Sequence, residues 1–372
     1  MSGAERFVRQ HILEMPPYEP ILPFEVLSEE LGIPVEALVK LDANENPYGP
    51  LPSVREALGA VKGLHIYPDP ESRSIRRRLA AQHGVSEGSI VMGAGADELI
   101  DLIIRIVLEP GEALLNCPPT FGMYSFDGVL NQAKVISVPR RADFSLDMDA
   151  IRQVVEKDKP RLLFLANPNN PDGGMIPEEV FQQLAALPLL LVMDEAYIQF
   201  RATGRSVLDE VARRENLIVL RTFSKWAGLA GLRLGYGVFP ETFVPMLMKA
   251  KQPYNVSVAA EQAALATMDN LEIAEARINN IVKERQQLYQ ILAQFPWLET
   301  YPSEANFILC KVSGIPAITV KQQLRQQGIL IRHFDKPGLS DHIRISVGTP
   351  AQIKVLTDGL KRIEVNDENR NN

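Results

Sequence analysis

The chain has 372 residues and a mass of 41.4 kDa, which at ~100–200 residues per domain means two domains or one large one. Hydrophobic residues make up 46% and charged residues 23%, which excludes collagen-like and low-complexity chains and permits a large core without staples. The 39 basic and 46 acidic residues leave a net charge of -7, which argues against nucleic acid as a partner but leaves room for a local basic pocket.

The N-terminal stretch MSGAERFVRQHILEMPP has no apolar core, so no secretory signal is expected there. Residues 1–50 are Pro-rich, with room for short helices around Phe24–Leu31 and Val35–Leu38. They read as an arm that also supplies part of a small domain. Its many apolar residues predict that it docks, a second subunit being one surface for it.

From 51 to 258, short apolar runs alternate with helical patterns. The runs are Ile90–Met92, Ala113–Asn116, Val135–Val138, Leu162–Ala166, Leu189–Met193, Ile218–Arg221 and Gly235–Phe239. Most are continuous instead of alternating, as in strands covered by helices on both faces. Helical patterns such as Asp97–Leu108 and Pro177–Ala186 lie between them. The expected fold is therefore α/β, a large domain with a mostly parallel open sheet flanked by helices. From 259 to 372 the pattern becomes a smaller α+β domain. One long helix is expected from about Ala259 into Leu271–Phe295, then strands at Asn306–Lys311, Leu330–His333 and Ile343–Val347. Helices Ala317–Gln327 and Pro350–Ile363 lie among these strands, and the polar tail EVNDENRNN is expected to be disordered.

No apolar run approaches the ~18 residues of a membrane span. Cys117 and Cys310 cannot build a disulfide framework, and no Cys or His spacing resembles a zinc site. A soluble, cytoplasmic protein without a metal centre is expected.

Five stretches at strand-to-helix junctions carry candidate chemistry. In Arg221–Tyr236 (RTFSKWAGLAGLRLGY) a lysine follows a buried strand, with hydroxyls at Thr222 and Ser224 and a guanidinium at Arg233. Lys225 could bond covalently to a carbonyl, with Thr222, Ser224 and Arg233 around a phosphate, or be a solvated lysine beside a glycine-rich turn. Asp194 and Tyr197 end the Leu189–Met193 run: the pair could hold a cationic ring nitrogen and a ring oxygen, or Asp194 could cap a helix. In MGAGADEL, free backbone N–H groups at a helix start could favour an anion, or the stretch could form a tight turn capped by Asp97. NPNNPDGG reads as a surface turn or as an amide side chain aimed into the cleft. CPPTFGMY offers Phe121 as a stacking face or a core aromatic. Taken together, the lysine, ring-nitrogen carboxylate, stacking ring and phosphate cradle match the needs of pyridoxal 5'-phosphate.

With these stretches, LDANENP at Leu41–Pro47 and IRISVGT at Ile343–Thr349, nearly the whole chain resembles the fold-type I pyridoxal-phosphate aminotransferases, most closely the histidinol-phosphate aminotransferase family. The resemblance implies pyridoxal 5'-phosphate as cofactor, Lys225 as its Schiff-base lysine, and Asp194 as partner of the pyridine nitrogen. It implies Tyr197 and Asn170 at the ring hydroxyl, and Gly95, Ala96, Asp97, Thr222, Ser224 and Arg233 around the phosphate. Tyr67 would reach the neighbouring subunit's phosphate in a homodimer with shared active sites. Tyr18, Asn44, Arg332 and Arg344 would face the substrates. The implied reaction passes the amino group of L-histidinol phosphate to 2-oxoglutarate, giving imidazole acetol phosphate and L-glutamate. A threonine-phosphate decarboxylase, a broad aromatic aminotransferase and a non-catalytic binder of the cofactor are the alternatives. Phe121 stands where many relatives carry Tyr, Asp172 replaces a Thr, and Trp226 replaces a small residue.

Overall fold

The protein is described here by a computed structural model, over residues 3–17 and 22–364. Tyr18 and the tail beyond residue 364 lie outside the described residues. Among those described, the strands are β1 (Val39–Leu41), β2 (Ile90–Gly93), β3 (Ala113–Asn116), β4 (Lys134–Ser137), β5 (Leu162–Ala166), β6 (Leu190–Asp194), β7 (Leu217–Thr222), β8 (Gly235–Val238), β9 (Leu298–Thr300), β10 (Phe307–Val312), β11 (Ile329–His333) and β12 (His342–Ser346).

A seven-stranded sheet has the order β2-β8-β7-β6-β5-β3-β4. Every neighbouring pair in it is parallel except those of β8, which runs antiparallel to both β2 and β7. The continuous apolar runs have a direct physical reason. Leu163, Leu165, Leu191, Met193, Leu217 and Val219 pack into one core, while Leu162, Phe164, Val192, Ile218 and Leu220 pack into another. Successive side chains point to opposite faces, so both faces must be apolar when helices cover both. The expected α/β architecture is the one observed.

A five-stranded sheet has the order β1-β11-β12-β10-β9, with β1 parallel to β11 and the other pairs antiparallel. The three-residue strand β1 comes from the Pro-rich arm, and no apolar run announced it. The arm also docks on its own chain. Leu27 and Leu38 pack with Leu330 of β11, and a His11 ring nitrogen lies 3.2 Å from the Leu130 carbonyl.

The single long helix expected from Ala259 is two helices, Val258–Met268 and Leu271–Leu292. The break falls at Asp269-Asn270. Asn270 bonds back to the Ala266 carbonyl through its side chain and to the Thr267 carbonyl through its N–H. Such local bonds give the backbone an alternative to continuing the helix. The second helix then starts with Asn270 as its N-cap residue.

No helix among the described residues is long and apolar enough to cross a membrane. No group of His, Cys, Asp and Glu among them could hold a metal ion.

Candidate active site

Because β2, β3, β5, β6 and β7 run the same way, their carboxyl ends lie on one edge of the sheet. Open α/β sheets bind ligands in the crevice outside that edge. All five candidate stretches emerge there.

Strand β7 ends in Thr222, which closes a small turn. Its Oγ1 donates to Ser224 Oγ at 2.9 Å and accepts the Ser224 N–H at 3.0 Å. Phe223 is fully buried between them and fixes the turn in the core. Lys225 then projects towards the arm. Its Nζ donates to the Ala43 carbonyl at 3.1 Å and lies 5.8 Å from the Tyr197 ring centre.

Asp194 ends β6 beside Ala166 and Leu220 and is buried. Tyr124 Oη donates to its Oδ2 at 2.7 Å, and the Ala196 N–H donates to its Oδ1 at 3.1 Å. Burial pushes its carboxyl up to about 6. Among the described residues no cation pairs with it. A buried carboxylate in that position favours a cationic ligand atom.

The candidate anion site lies where β2 meets the helix Ala96–Val107. Gly95 is the N-cap residue, at φ 87°, not the Asp97 cap of the simple-turn reading; Asp97 sits in the first turn. The helix start offers free N–H groups and the positive end of its dipole. A Cβ on Gly95 would lie 2.7 Å from Arg233 Nη2, so only glycine lets the guanidinium reach the turn. Gly235, on β8, is needed for the same reason: a Cβ there would lie 2.5 Å from the Ala96 nitrogen. Arg233 Nη2 donates to Asp97 Oδ2 at 2.7 Å, so cation and carboxylate are paired at the rim. Glu98 Oε2 accepts the Ala94 N–H at 2.6 Å and the Asn255 Nδ2 at 2.6 Å, which pins the turn.

The five-stranded sheet supplies the opposite wall. Arg344 on β12 donates to Asn170 Oδ1 and to the Asp42 carbonyl, both at 2.6 Å. Its guanidinium carbon lies 5.2 Å from the Phe307 ring centre and 5.7 Å from that of Phe334. Arg332 is the cross-strand partner of Arg344 and lies over the same Phe334 ring at 5.9 Å. Asn44 ties the walls together at φ 56°, a region that asparagine tolerates better than most residues. Its N–H donates to Ser346 Oγ, its Oδ1 accepts from the same hydroxyl, and its Nδ2 donates to Tyr197 Oη at 3.1 Å.

Phe121 stands edge-on to Tyr124 at 5.5 Å between ring centres. Tyr67 lies apart from these groups. It is 78% exposed and stacks on Tyr254 at 4.6 Å. Of the unusual residues, Asp172 holds its turn by accepting from Asn169 and from the Gly174 N–H, and Trp226 packs on Phe223 at 5.4 Å.

Two features went unread in the sequence. Tyr124 lies in CPPTFGMY, and its role is not visible from that stretch alone, although a tyrosine on an apolar helix face needs a partner for its hydroxyl. Glu195 and Arg221 form a buried pair at 2.8 Å, with Ser206 Oγ bonded to both. A charge beside or inside an apolar strand signals such a partner, because buried charges are paired.

This fold and site are those of an aminotransferase: the family model for aminotransferase class I and II matches residues 36–360, and the chain belongs to that family. It is 53% identical over 358 residues to the chloroplastic histidinol-phosphate aminotransferase of Nicotiana plumbaginifolia, covering 96% of this chain and 86% of that protein. It is 49% identical over 364 residues to the histidinol-phosphate aminotransferase of Roseiflexus castenholzii, covering 96% and 98%. The crystal structure of histidinol-phosphate aminotransferase from Sinorhizobium meliloti in complex with pyridoxal-5'-phosphate superposes with a TM-score of 0.87, at 28% identity, over 95% of this chain and 96% of that one. Within the family, the chain groups with the histidinol-phosphate aminotransferases.

Proposed function

We propose that the site binds pyridoxal 5'-phosphate and transfers the amino group of L-histidinol phosphate to 2-oxoglutarate, giving imidazole acetol phosphate and L-glutamate in histidine biosynthesis. The carrying observation is that the ends of neighbouring parallel strands bring together the Lys225 amine, whose Nζ lies 5.8 Å from the Tyr197 ring, and the buried Asp194 carboxylate, with a helix start cleared by Gly95 on the same sheet edge. That donor set fits the cofactor. Asp194 would meet the ring nitrogen, and Tyr197 with the Asn170 amide would meet the ring hydroxyl. Phe121 would stack on the ring, and Gly95, Ala96, Asp97, Thr222, Ser224 and Arg233 would surround the phosphate.

Bound pyridoxal phosphate supplies an aldehyde carbon for amines and a ring that accepts the electron pair released at the substrate Cα. The protein does the rest. Lys225 Nζ would act as the general base that takes the proton from the substrate Cα. Asp194 would hold the ring nitrogen in its protonated form, which favours charge spreading into the ring. Asn44 donates to the oxygen of Tyr197, which leaves the Tyr197 O–H free to donate in turn.

Histidinol phosphate carries a phosphate where an amino acid such as glutamate carries its carboxylate, so the site must accept a dianion in one half-reaction and a carboxylate in the other. Arg344 serves both, since a guanidinium fork fits either group, and Arg332 adds a second positive charge for the dianion. Arg344→Ala is expected to raise KM for histidinol phosphate and for glutamate about 10- to 100-fold, the scale of a lost charged hydrogen bond. Steady-state kinetics with each substrate checks this, and an unchanged KM for both removes Arg344 from the site.

The reaction itself is tested by single-turnover assays with histidinol phosphate, phenylalanine and threonine phosphate side by side. The keto product is expected fastest from histidinol phosphate, with no carbon dioxide released. Carbon dioxide from threonine phosphate would make the protein a decarboxylase instead.

The reading carries a homodimer. Leu64, Ile66 and Tyr67 are 73%, 62% and 78% exposed in one segment, an apolar surface suited to a second copy that Tyr67 would enter. It also carries the division into an arm (1–50), a cofactor domain (51–258) and a small domain (259–372), because the seven-stranded sheet is complete by Val238. Operation in the cytoplasm fits two free, buried thiols, Cys117 and Cys310.

A further inference from the structure

Tyr124 lies on the helix Met123–Leu130, just after the turn that carries Phe121, and its side chain is fully buried. Its ring stacks on Phe164 of β5 at 5.1 Å and meets Phe121 edge-on at 5.5 Å. Its hydroxyl donates to Asp194 Oδ2 at 2.7 Å. A single side chain therefore touches both the aromatic face and the carboxylate.

The carboxylate needs such help. Burial raises its pKa, and the negative charges of Asp97 and Glu195 push the same way. The Tyr124 hydroxyl and the Ala196 N–H act against them. Nearby cations are engaged elsewhere: Arg221 pairs with Glu195, and Arg233 pairs with Asp97. Burial and the Asp194 charge hold the Tyr124 hydroxyl well above the usual phenol range, so it remains a donor.

We propose that Tyr124 is a positioning residue of the cofactor site: its hydroxyl aims the Asp194 carboxylate and keeps it charged for the ring nitrogen, while its ring backs Phe121. This rests on the reading of Asp194 as the partner of that nitrogen. Tyr124 does not touch the reacting atoms; it acts through Asp194. Each Asp194 oxygen takes one protein donor, which fixes the carboxylate plane and leaves a lone pair on each for the ligand.

Tyr124→Phe removes the hydroxyl and keeps both aromatic contacts. The test is a double-mutant cycle with Asp194→Asn, read by equilibrium dialysis of pyridoxal phosphate, by absorbance of the bound chromophore, and by kcat and KM. Tyr124→Phe alone is expected to raise the cofactor Kd about 10-fold and lower kcat about 10-fold, with KM unchanged, the scale of one hydrogen bond to a charged group. In the Asp194→Asn background the same change is expected to move Kd by less than about two-fold, because the charge it served is gone. An unchanged Kd in the otherwise native protein, or equal losses in both backgrounds, overturns the proposal and leaves Tyr124 a packing residue. Failure of the underlying reading looks different. If Asp194→Asn alone leaves Kd, absorbance and kcat unchanged, Asp194 is not the ring-nitrogen partner and this inference falls with it.

Discussion

Replacing Lys225 with alanine is expected to lower transamination about 10⁴-fold or more. On the proposed mechanism the variant loses two things at once, the amine that would attach the cofactor and the base that would move the Cα proton. A positioned base alone contributes about 10²–10⁴-fold, and the covalent attachment adds to it. The fold should tolerate the change, because Lys225 is only partly buried and its side-chain hydrogen bond goes to one backbone carbonyl, that of Ala43. Single-turnover rates with histidinol phosphate, alongside thermal unfolding of the cofactor-free protein, check both halves. A variant that keeps near-normal turnover removes Lys225 from the chemistry.

Asp194→Asn is the second large effect. Asparagine keeps the shape, and its side-chain oxygen can still accept from Tyr124 or from the Ala196 N–H. What it loses is the negative charge. On the proposed reading that charge would keep the ring nitrogen of the bound cofactor protonated, and the variant would lose this support. A fall in kcat of about 10²–10³-fold is expected, the range seen when one preorganised electrostatic partner is removed. The cofactor should also dissociate more readily. Measuring kcat and the pyridoxal phosphate Kd on the same preparation separates the two effects. A variant with native kcat would mean that the ring nitrogen finds its charge elsewhere.

Much of this site was legible before the structure because the chemistry sits at the ends of strands that are easy to read. The runs Leu162–Ala166 and Ala113–Asn116 coincide with β5 and β3, and the other strands of the large sheet are shifted by a residue or two at their ends. Continuous apolar residues mark such strands, and a polar residue directly after one must lie at the sheet's edge. Asp194 and Thr222 were visible for that reason. What stayed hidden depended on contacts between distant parts of the chain. The bonds from Asn44 to Ser346 and from Asn306 to the Asn44 carbonyl join segments hundreds of residues apart. The strand β1 is too short to have a period of its own and exists because β11 pairs with it. Glu195 and Arg221 were each readable as charges in apolar surroundings, but nothing local said that they were partners. The break at Asn270 was missed because the apolar pattern continues through it, while the side-chain bond that favours the break is a local one that periodicity does not register.

The most direct test of the account is where the cofactor attaches. The pyridoxal-phosphate-loaded enzyme is treated with borohydride, digested, and its peptides mapped by mass. A pyridoxyl group on Lys225, in the peptide that contains Phe223 and Ser224, is the predicted result. A modification on another lysine, or none under conditions where the loaded enzyme is active, contradicts it.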